Sequence, residues 1–399
     1  MRKVSDTKSR MIIVISFIIG IMVSPVLAAD VIKVGAVQPI TGVFSFAGTQ
    51  INAGLQDSLN MANEEGGIDG KRIEYIMEDG KYNLKVAKAA FIRIMNKYHP
   101  LVMYGESTAL GKAMTDDIRN KYKVLYSSTS FSSVLAQGAM NPYAFVPGPT
   151  YGDQFGILMK YIAKKSPGAK VAFFYSDTAF GRDPIKFGRI MCRDFRLHLV
   201  AEETSKPGAK DISAQVKNLR AKNPDYIIFH GYVLSPVSEV IKKCRELGMN
   251  STFMGTFWGT TKMLLDKLGP LAEGYLGVNP YNFWWMEHVP MIQKIKHYNG
   301  VHHPEVTFRP NSYMQGFVTG LIFVECLKRA DRAGELNSEG LVKALKSIKG
   351  FETGGLTAPL TIKNNRFPVA RIWQANVEKG IYEPAPLPRG LEHWIRIGY

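Results

Sequence analysis

Phe257 and Trp258 stand together in the stretch FMGTFWG (residues 253–259), in a turn flanked by Gly255 and Gly259. Turn tips normally face water and carry polar residues. Two large aromatics there mark either a satellite core or the wall of a binding site. Two hydroxyl-rich stretches, GEST (105–108) and SSTSF (127–131), raise the matching question of what they hold. A serine becomes a nucleophile only with a base beside it, and none of the strand-end loops identified below contains a histidine. The chain has no Gly-x-Ser-x-Gly elbow, no phosphate loop of the Walker type and no His-Glu-x-x-His. Its eight histidines are scattered; His302 and His303 are adjacent, beside Pro304 in a predicted loop, and read as surface. No catalytic residue, metal or cofactor is expected, so the chemistry to explain is non-covalent.

The elements that position these residues follow from the hydrophobic pattern. Short β-rich runs alternate with helical ones: VIKVGAV, a helix from Ala47 to Glu64, RIEYIME, a helix from Leu84 to Lys97, LVMYG, a helix from Leu110 to Lys121, then VLYSS. This is the pattern of a parallel sheet covered on both faces. After the Pro/Gly-rich FVPGPTYGD the alternation restarts through KVAFFYS, LHLVAEE, YIIFHG and TFMG, with helices between them. Beyond GYLGVNPY come three helices (290–298, 312–330 and 338–347) and then the β-rich LTAPLTI and VARIWQANVE. The expected fold class is α/β, with two doubly wound parallel-sheet lobes. Lobe I takes residues 29–147 plus 280–354, and lobe II residues 148–279 plus 355–399. Three crossings between lobes make a hinge, and the hinge makes a cleft. Ligands of open α/β sheets lie beyond the carboxyl ends of the strands. Those ends are residues 38–48, 105–109, 127–133, 176–181, 231–234 and 255–259.

The 399 residues suffice for two such lobes, and 46% hydrophobic with 21% charged residues exclude a disordered or polytopic membrane chain. Residues 1–28 read as a secretory signal peptide: Arg2, Lys3, Lys8 and Arg10, then an apolar run from Met11 to Val23, then a cleavage pattern ending at Ala28. The formal charge is +16, and removing that segment, with its four bases and one acid, leaves +13. The positive residues form neither a run nor an aromatic-interleaved stripe, so nucleic acid is not an expected partner. The excess favours acidic ligands. Cys192, Cys244 and Cys326 lack metal-site spacing and read as small buried residues.

Several stretches, taken in order, carry a family likeness. IKVGAVQPITGVFSFAG resembles the opening of periplasmic solute-binding proteins of the branched-chain amino acid type, which serve ABC transporters. ANEEGGIDGKRIE, DTAFGRD, GAKDISAQVKNLRAKNPDYIIFHGY and KKCRELGM resemble further segments of that family, and the likeness spans the expected mature chain. It implies the periplasmic binding protein type I fold, a periplasmic monomer, a membrane permease as partner and a small molecule enclosed by hinge closure. Amino-acid and amide ligands, and a sensory module presenting its closed form to a receptor, remain alternatives.

The likeness also assigns residues. In lobe I, Ser107 and Thr108, with Ser127, Ser128, Thr129 and Phe131, are expected to meet a ligand carboxylate, where a helix N-terminus adds N–H groups and partial positive charge. In lobe II, Phe180, Tyr232, Phe257 and Trp258 are expected to cover it, with Phe44, Phe46 and Tyr151 extending the wall. The amino-acid binders carry an acid for the ligand's ammonium where this chain reads Thr256-Phe257-Trp258. A buried ammonium without a carboxylate is costly, so the expected ligand is an apolar or aromatic carboxylate. Glu106 and Asp177 are expected to face solvent.

Overall fold

The computed structural model describes residues 31–397, so the expected signal peptide lies outside the described residues. The first half builds β1 (Val31–Gln38), α1 (Ser45–Glu64), β2 (Arg72–Asp79), α2 (Leu84–Tyr98), β3 (Val102–Gly105), α3 (Thr108–Asp116) and β4 (Leu125–Ser128). Their strands form a four-stranded sheet in the order β2-β1-β3-β4, parallel throughout. Strands buried on both faces need near-continuous apolar runs; β3 and β4 are buried at every residue.

The second half continues with α4 (Tyr151–Lys165), β5 (Lys170–Ser176), α5 (Ala179–Arg182), α6 (Ile185–Asp194), β6 (His198–Ser205), α7 (Ser213–Lys222), β7 (Tyr226–His230), α8 (Ser238–Glu246), β8 (Thr252–Gly255), α9 (Lys262–Leu268) and β9 (Leu276–Asn279). The chain then returns with α10 (Pro290–His302), α11 (Asn311–Arg332) and α12 (Ser338–Lys346), and ends in β10 (Val369–Asn376), β11 (Ile381–Pro384) and β12 (Ile395–Arg396). The second sheet runs β11-β10-β9-β8-β7-β5-β6, with β12 also on β10. The strands from β5 to β9 are parallel, and β10 closes that edge antiparallel.

Two elements differ from the sequence pattern. GYLGVNPY contains the strand β9, which its short apolar content hid, and LTAPLTI is not a strand: only Leu360 pairs, in an isolated bridge with Phe351. Pro359 lacks the N–H that a ladder needs. The expected lobe boundary after residue 354 also moves. Leu356, Leu360 and Phe367 pack in the first lobe's core, and the chain enters the second sheet only at Val369.

Three crossing segments lie bound to one another. The Tyr281 hydroxyl donates to the Pro147 carbonyl, at 3.2 Å. Val146 N–H donates to the Asn365 carbonyl and Phe367 N–H to that of Gly148. Arg366 forms a buried ion pair with Asp153, 2.6 Å from Nε to Oδ2, at the capping box that opens α4. Among the described residues no helix is long and apolar enough to cross a membrane. No three His, Cys, Asp or Glu side chains cluster there as a metal site requires. The three cysteines are buried free thiols.

In the first lobe α11 crosses α1 closely enough that glycines replace side chains at the contact. A Cβ on Gly316 would collide with the Ile51 carbonyl oxygen, and one on Gly54 with that of Tyr313. In the second lobe the ends of β7 and β8 and the short α5 are joined by His230. Its Nε2 lies 3.1 Å from the Phe180 carbonyl oxygen and must carry the proton there. Nδ1 is therefore the acceptor for the Thr256 hydroxyl, at 2.8 Å. Burial pushes the imidazole down to about 3, against a smaller opposite pull from the Phe180 carbonyl.

Gly316→Val should destabilise the protein by about 1–3 kcal/mol or more through this backbone collision, read as a lowered urea midpoint. His230 gives a second expectation. Its folded form stays neutral while the unfolded one takes a proton below about pH 6.5. The stability it contributes is therefore present above that pH and lost as the pH falls toward 3, at about 1.4 kcal/mol per pH unit. Urea unfolding between pH 7 and pH 4 should show this slope, and His230→Gln, which does not titrate, should reduce it.

Candidate ligand-binding site

The carboxyl ends of both parallel sheets open on one cleft, with a cavity of about 310 Å³, a size that suits a small organic molecule. In the first lobe, β2 ends at Asp79, which accepts from Ile40 N–H at 3.0 Å, from the Thr41 hydroxyl at 2.5 Å and from Lys81 N–H at 2.9 Å. These bonds hold the β1–α1 loop against the β2–α2 turn and bring Phe44 onto Tyr82. The two rings stack with centroids 4.9 Å apart and an interplanar angle of 24°.

The β3–α3 junction supplies the polar end. Ser107 is the N-cap of α3, its hydroxyl accepting from Leu110 N–H at 3.1 Å. Thr108 and Ser130 share a hydroxyl–hydroxyl hydrogen bond of 2.6 Å. Thr129 turns its hydroxyl to the Gly105 carbonyl, 3.1 Å away. All of these line the cavity, and the lining contains no Lys, Arg or His.

Glu106 lines the cavity as well and is only 1% exposed, against the expectation that it faces solvent. Its Oε2 accepts from Tyr82 N–H at 3.1 Å, and its Oε1 has no hydrogen-bond partner among the described residues. Burial pushes the carboxyl up to about 7; the Tyr82 N–H works against that shift, and repulsion from Asp79 adds to it. Gly80 makes room, since a Cβ there would strike the Glu106 carboxylate. Asp177 lies outside the lining and pairs with Arg182 at 2.5 Å on the surface.

The second lobe supplies most of the apolar wall, beside Phe44, Phe46 and Tyr82 of the first. Thr178 caps α5 and orients Phe180, whose ring lies 4.2 Å from His230 and 5.3 Å from Tyr151 by centroids. Tyr151 accepts a hydrogen bond from Trp258 Nε1 at 3.0 Å. Trp258 meets Phe44 of the opposite lobe edge-on at 5.1 Å. Tyr232, Val233 and Leu234 follow β7 along the same wall. The lobes are also joined beside the cavity: Asp183 accepts from the Ser132 hydroxyl at 2.5 Å and from Ser133 N–H at 3.1 Å, and Lys112 lies 3.0 Å from it.

Of the twelve residues singled out from sequence, Phe46, Ser107, Thr108, Thr129, Tyr151, Phe180, Tyr232 and Trp258 line the cavity. Four do not. Ser127 spends its hydroxyl on the Phe145 carbonyl, and Ser128 on Ser130 N–H. Phe131 and Phe257 are fully buried and pack on each other behind the wall, at 4.9 Å. Tyr82, Ser130, Thr261, Met263 and the Pro310–Ser312 start of α11 line the cavity without having been singled out. Ser130 lies inside the hydroxyl-rich stretch already marked, whereas the α11 residues arrive only through the third pass of the chain. His302 ends α10 and is exposed, in keeping with the surface reading, whereas His303 caps that helix half-buried, its Nε2 3.0 Å from the buried Asp57.

Comparison with known proteins agrees with this architecture. Residues 31–380 match the periplasmic binding protein family. The Leu/Ile/Val/Thr-binding protein of Salmonella typhimurium is 24% identical over 269 residues, 66% of this chain and 72% of that protein. The Leu/Ile/Val-binding protein of Escherichia coli K12 is 23% identical over the same length and shares. Among solved structures, a branched-chain amino acid ABC transporter protein from Thermus thermophilus with bound valine superposes with a TM-score of 0.82 at 22% identity, covering 91% of this chain and 97% of that one. A fatty acid ABC transporter substrate-binding protein from Thermomonospora curvata gives 0.79 at 20% identity, covering 92% and 93%. The chain belongs to the periplasmic binding protein family and is a solute-binding protein, not an enzyme.

Proposed function

We propose that this chain is the periplasmic solute-binding component of an ABC importer, and that its ligand is a small apolar or aromatic carboxylate held by closure of the two lobes. The observation that carries the reading is the division of the cavity. One end is a rim of hydroxyls at the start of α3, and the other is a wall of rings from Phe44, Tyr82, Phe180, Tyr232 and Trp258. A helix N-terminus stabilises an anion, while aromatic faces add roughly 0.5–1.5 kcal/mol per ring pair beyond burial. The closed form is favoured because only there does a ligand touch both ends.

The ligand families of the relatives frame the alternatives. Leucine-type ligands need a counter-charge for their ammonium, and the Thr256–Trp258 turn has no acid. Glu106 is the acid in the lining, and an amino acid that placed its ammonium there is the second reading. The fatty acid binder among the structural neighbours favours a carboxylate with an apolar body, as this cavity does.

Calorimetric titration of the processed protein with benzoate, phenylacetate, octanoate, leucine and valine tests the reading. Binding of one or more of the three acids, without binding of leucine or valine, is the expected result; binding of the amino acids alone would overturn it. Trp258→Ala should weaken the bound acid by roughly tenfold or more, from about 1.5–3 kcal/mol of lost apolar contact. Ser127→Ala, which removes a hydroxyl spent on the Phe145 carbonyl, should change Kd by less than about threefold.

A further inference from the structure

We propose that Glu106 acts as a neutral acid that donates a hydrogen bond from its free oxygen to the ligand's carboxylate, so that binding is coupled to one proton. The inference rests on the carboxylate reading above and adds the residue that selects for it.

The geometry is that of a carboxyl group built into the site. Glu106 is 1% exposed and lines the cavity between Tyr82 and Ser107, with Oε2 held by the Tyr82 N–H and Oε1 unpartnered. A buried polar atom without a partner is costly, and the natural partner here is one that the cavity receives. That partner arrives at the start of α3, beside the Ser107 cap and the Thr108–Ser130 hydroxyl pair.

No basic side chain lines the cavity to offset two negative charges. The titratable groups around Glu106 are Asp79 at the end of β2, Tyr82 in the following turn and Tyr126 on β4. Asp79 repels an ionised Glu106, and burial holds both phenols neutral, so none of the three favours its ionised form. Two carboxylates meeting in such surroundings cannot both ionise. They share one proton in a short charge-assisted O–H···O⁻ bond.

The balance is simple. The ligand enters as an anion, and Glu106 in the complex keeps, or takes from solvent, one proton that stays on the pair. No other bond is made or broken. Free Glu106 loses its proton above about pH 7, so each binding event above that pH must take a proton up. The Kd of a carboxylate ligand is then flat below neutrality and rises by up to tenfold per pH unit above it. An ammonium-bearing ligand seated on Glu106 behaves oppositely, binding more tightly as the carboxyl ionises.

The test is the pH profile of Kd from pH 6 to pH 9 for benzoate, phenylacetate and octanoate, which are ionised throughout that range. Calorimetry at pH 8 in two buffers of different ionisation enthalpy counts the protons. The expected result is a Kd that rises above neutrality, with uptake approaching one proton. Glu106→Gln, which keeps a donor that does not titrate, should bind with a flat profile, and Glu106→Ala should bind more weakly at every pH. Carboxylate binding with a flat wild-type profile and no proton uptake would overturn the role of Glu106 while leaving the carboxylate reading intact. Leucine or valine binding that strengthens with pH and disappears in Glu106→Gln would overturn both.

Discussion

The binding wall depends on one neutral imidazole. His230 ends β7, holds the Thr256 hydroxyl at the end of β8 and the Phe180 carbonyl at α5, and its ring lies among those of Tyr151, Phe155 and Phe180. A charged imidazole could not accept from Thr256 and would stand unsolvated among aromatic rings. The same burial that keeps the proton off also fixes the tautomer. Three strand-end loops, far apart in sequence, are thereby set in register with one another. Phe180 and Trp258 owe their places in the cavity to that register more than to their own loops.

The two lobes then divide the recognition between them. The first contributes oriented dipoles and a carboxyl group, small parts held by tight backbone turns at Asp79 and Ser107. The second contributes the rings of Phe180, Tyr232 and Trp258, which Phe44 and Tyr82 of the first join in the cavity lining. Polar groups at one end and rings at the other give the ligand a direction as well as a shape. The positive net charge of the chain assists the approach of an anion, although no cation waits for it inside.

Much of the fold was legible in the sequence. Parallel strands buried on both faces read as apolar runs, and the helices between them show their period. What escaped were elements defined by pairing more than by composition: β9, whose four residues gain meaning only between β8 and β10, and LTAPLTI, apolar but without a ladder. In the site, the loops were legible and the directions of their side chains were not. Ser127 and Ser130 are equivalent as letters, yet the first spends its hydroxyl on the Phe145 carbonyl behind the wall and the second, bonded to Thr108, lines the cavity. Glu106 was misplaced by the general rule that carboxylates stay in water. Its burial depends on the absence of a side chain at Gly80 and on the Tyr82 N–H, both supplied by a different loop.

The contact of Asp183 with Ser132, Ser133 and Lys112 lies outside the cavity lining, yet it joins the lobes at the rim. Under the proposed closure these bonds form when the lobes meet, so they add to the stability of the closed form. A carboxylate outside the cavity lining therefore weighs on how firmly the site is shut. Changing that clasp shifts the balance between open and closed forms, and with it the apparent affinity, without altering any residue of the cavity.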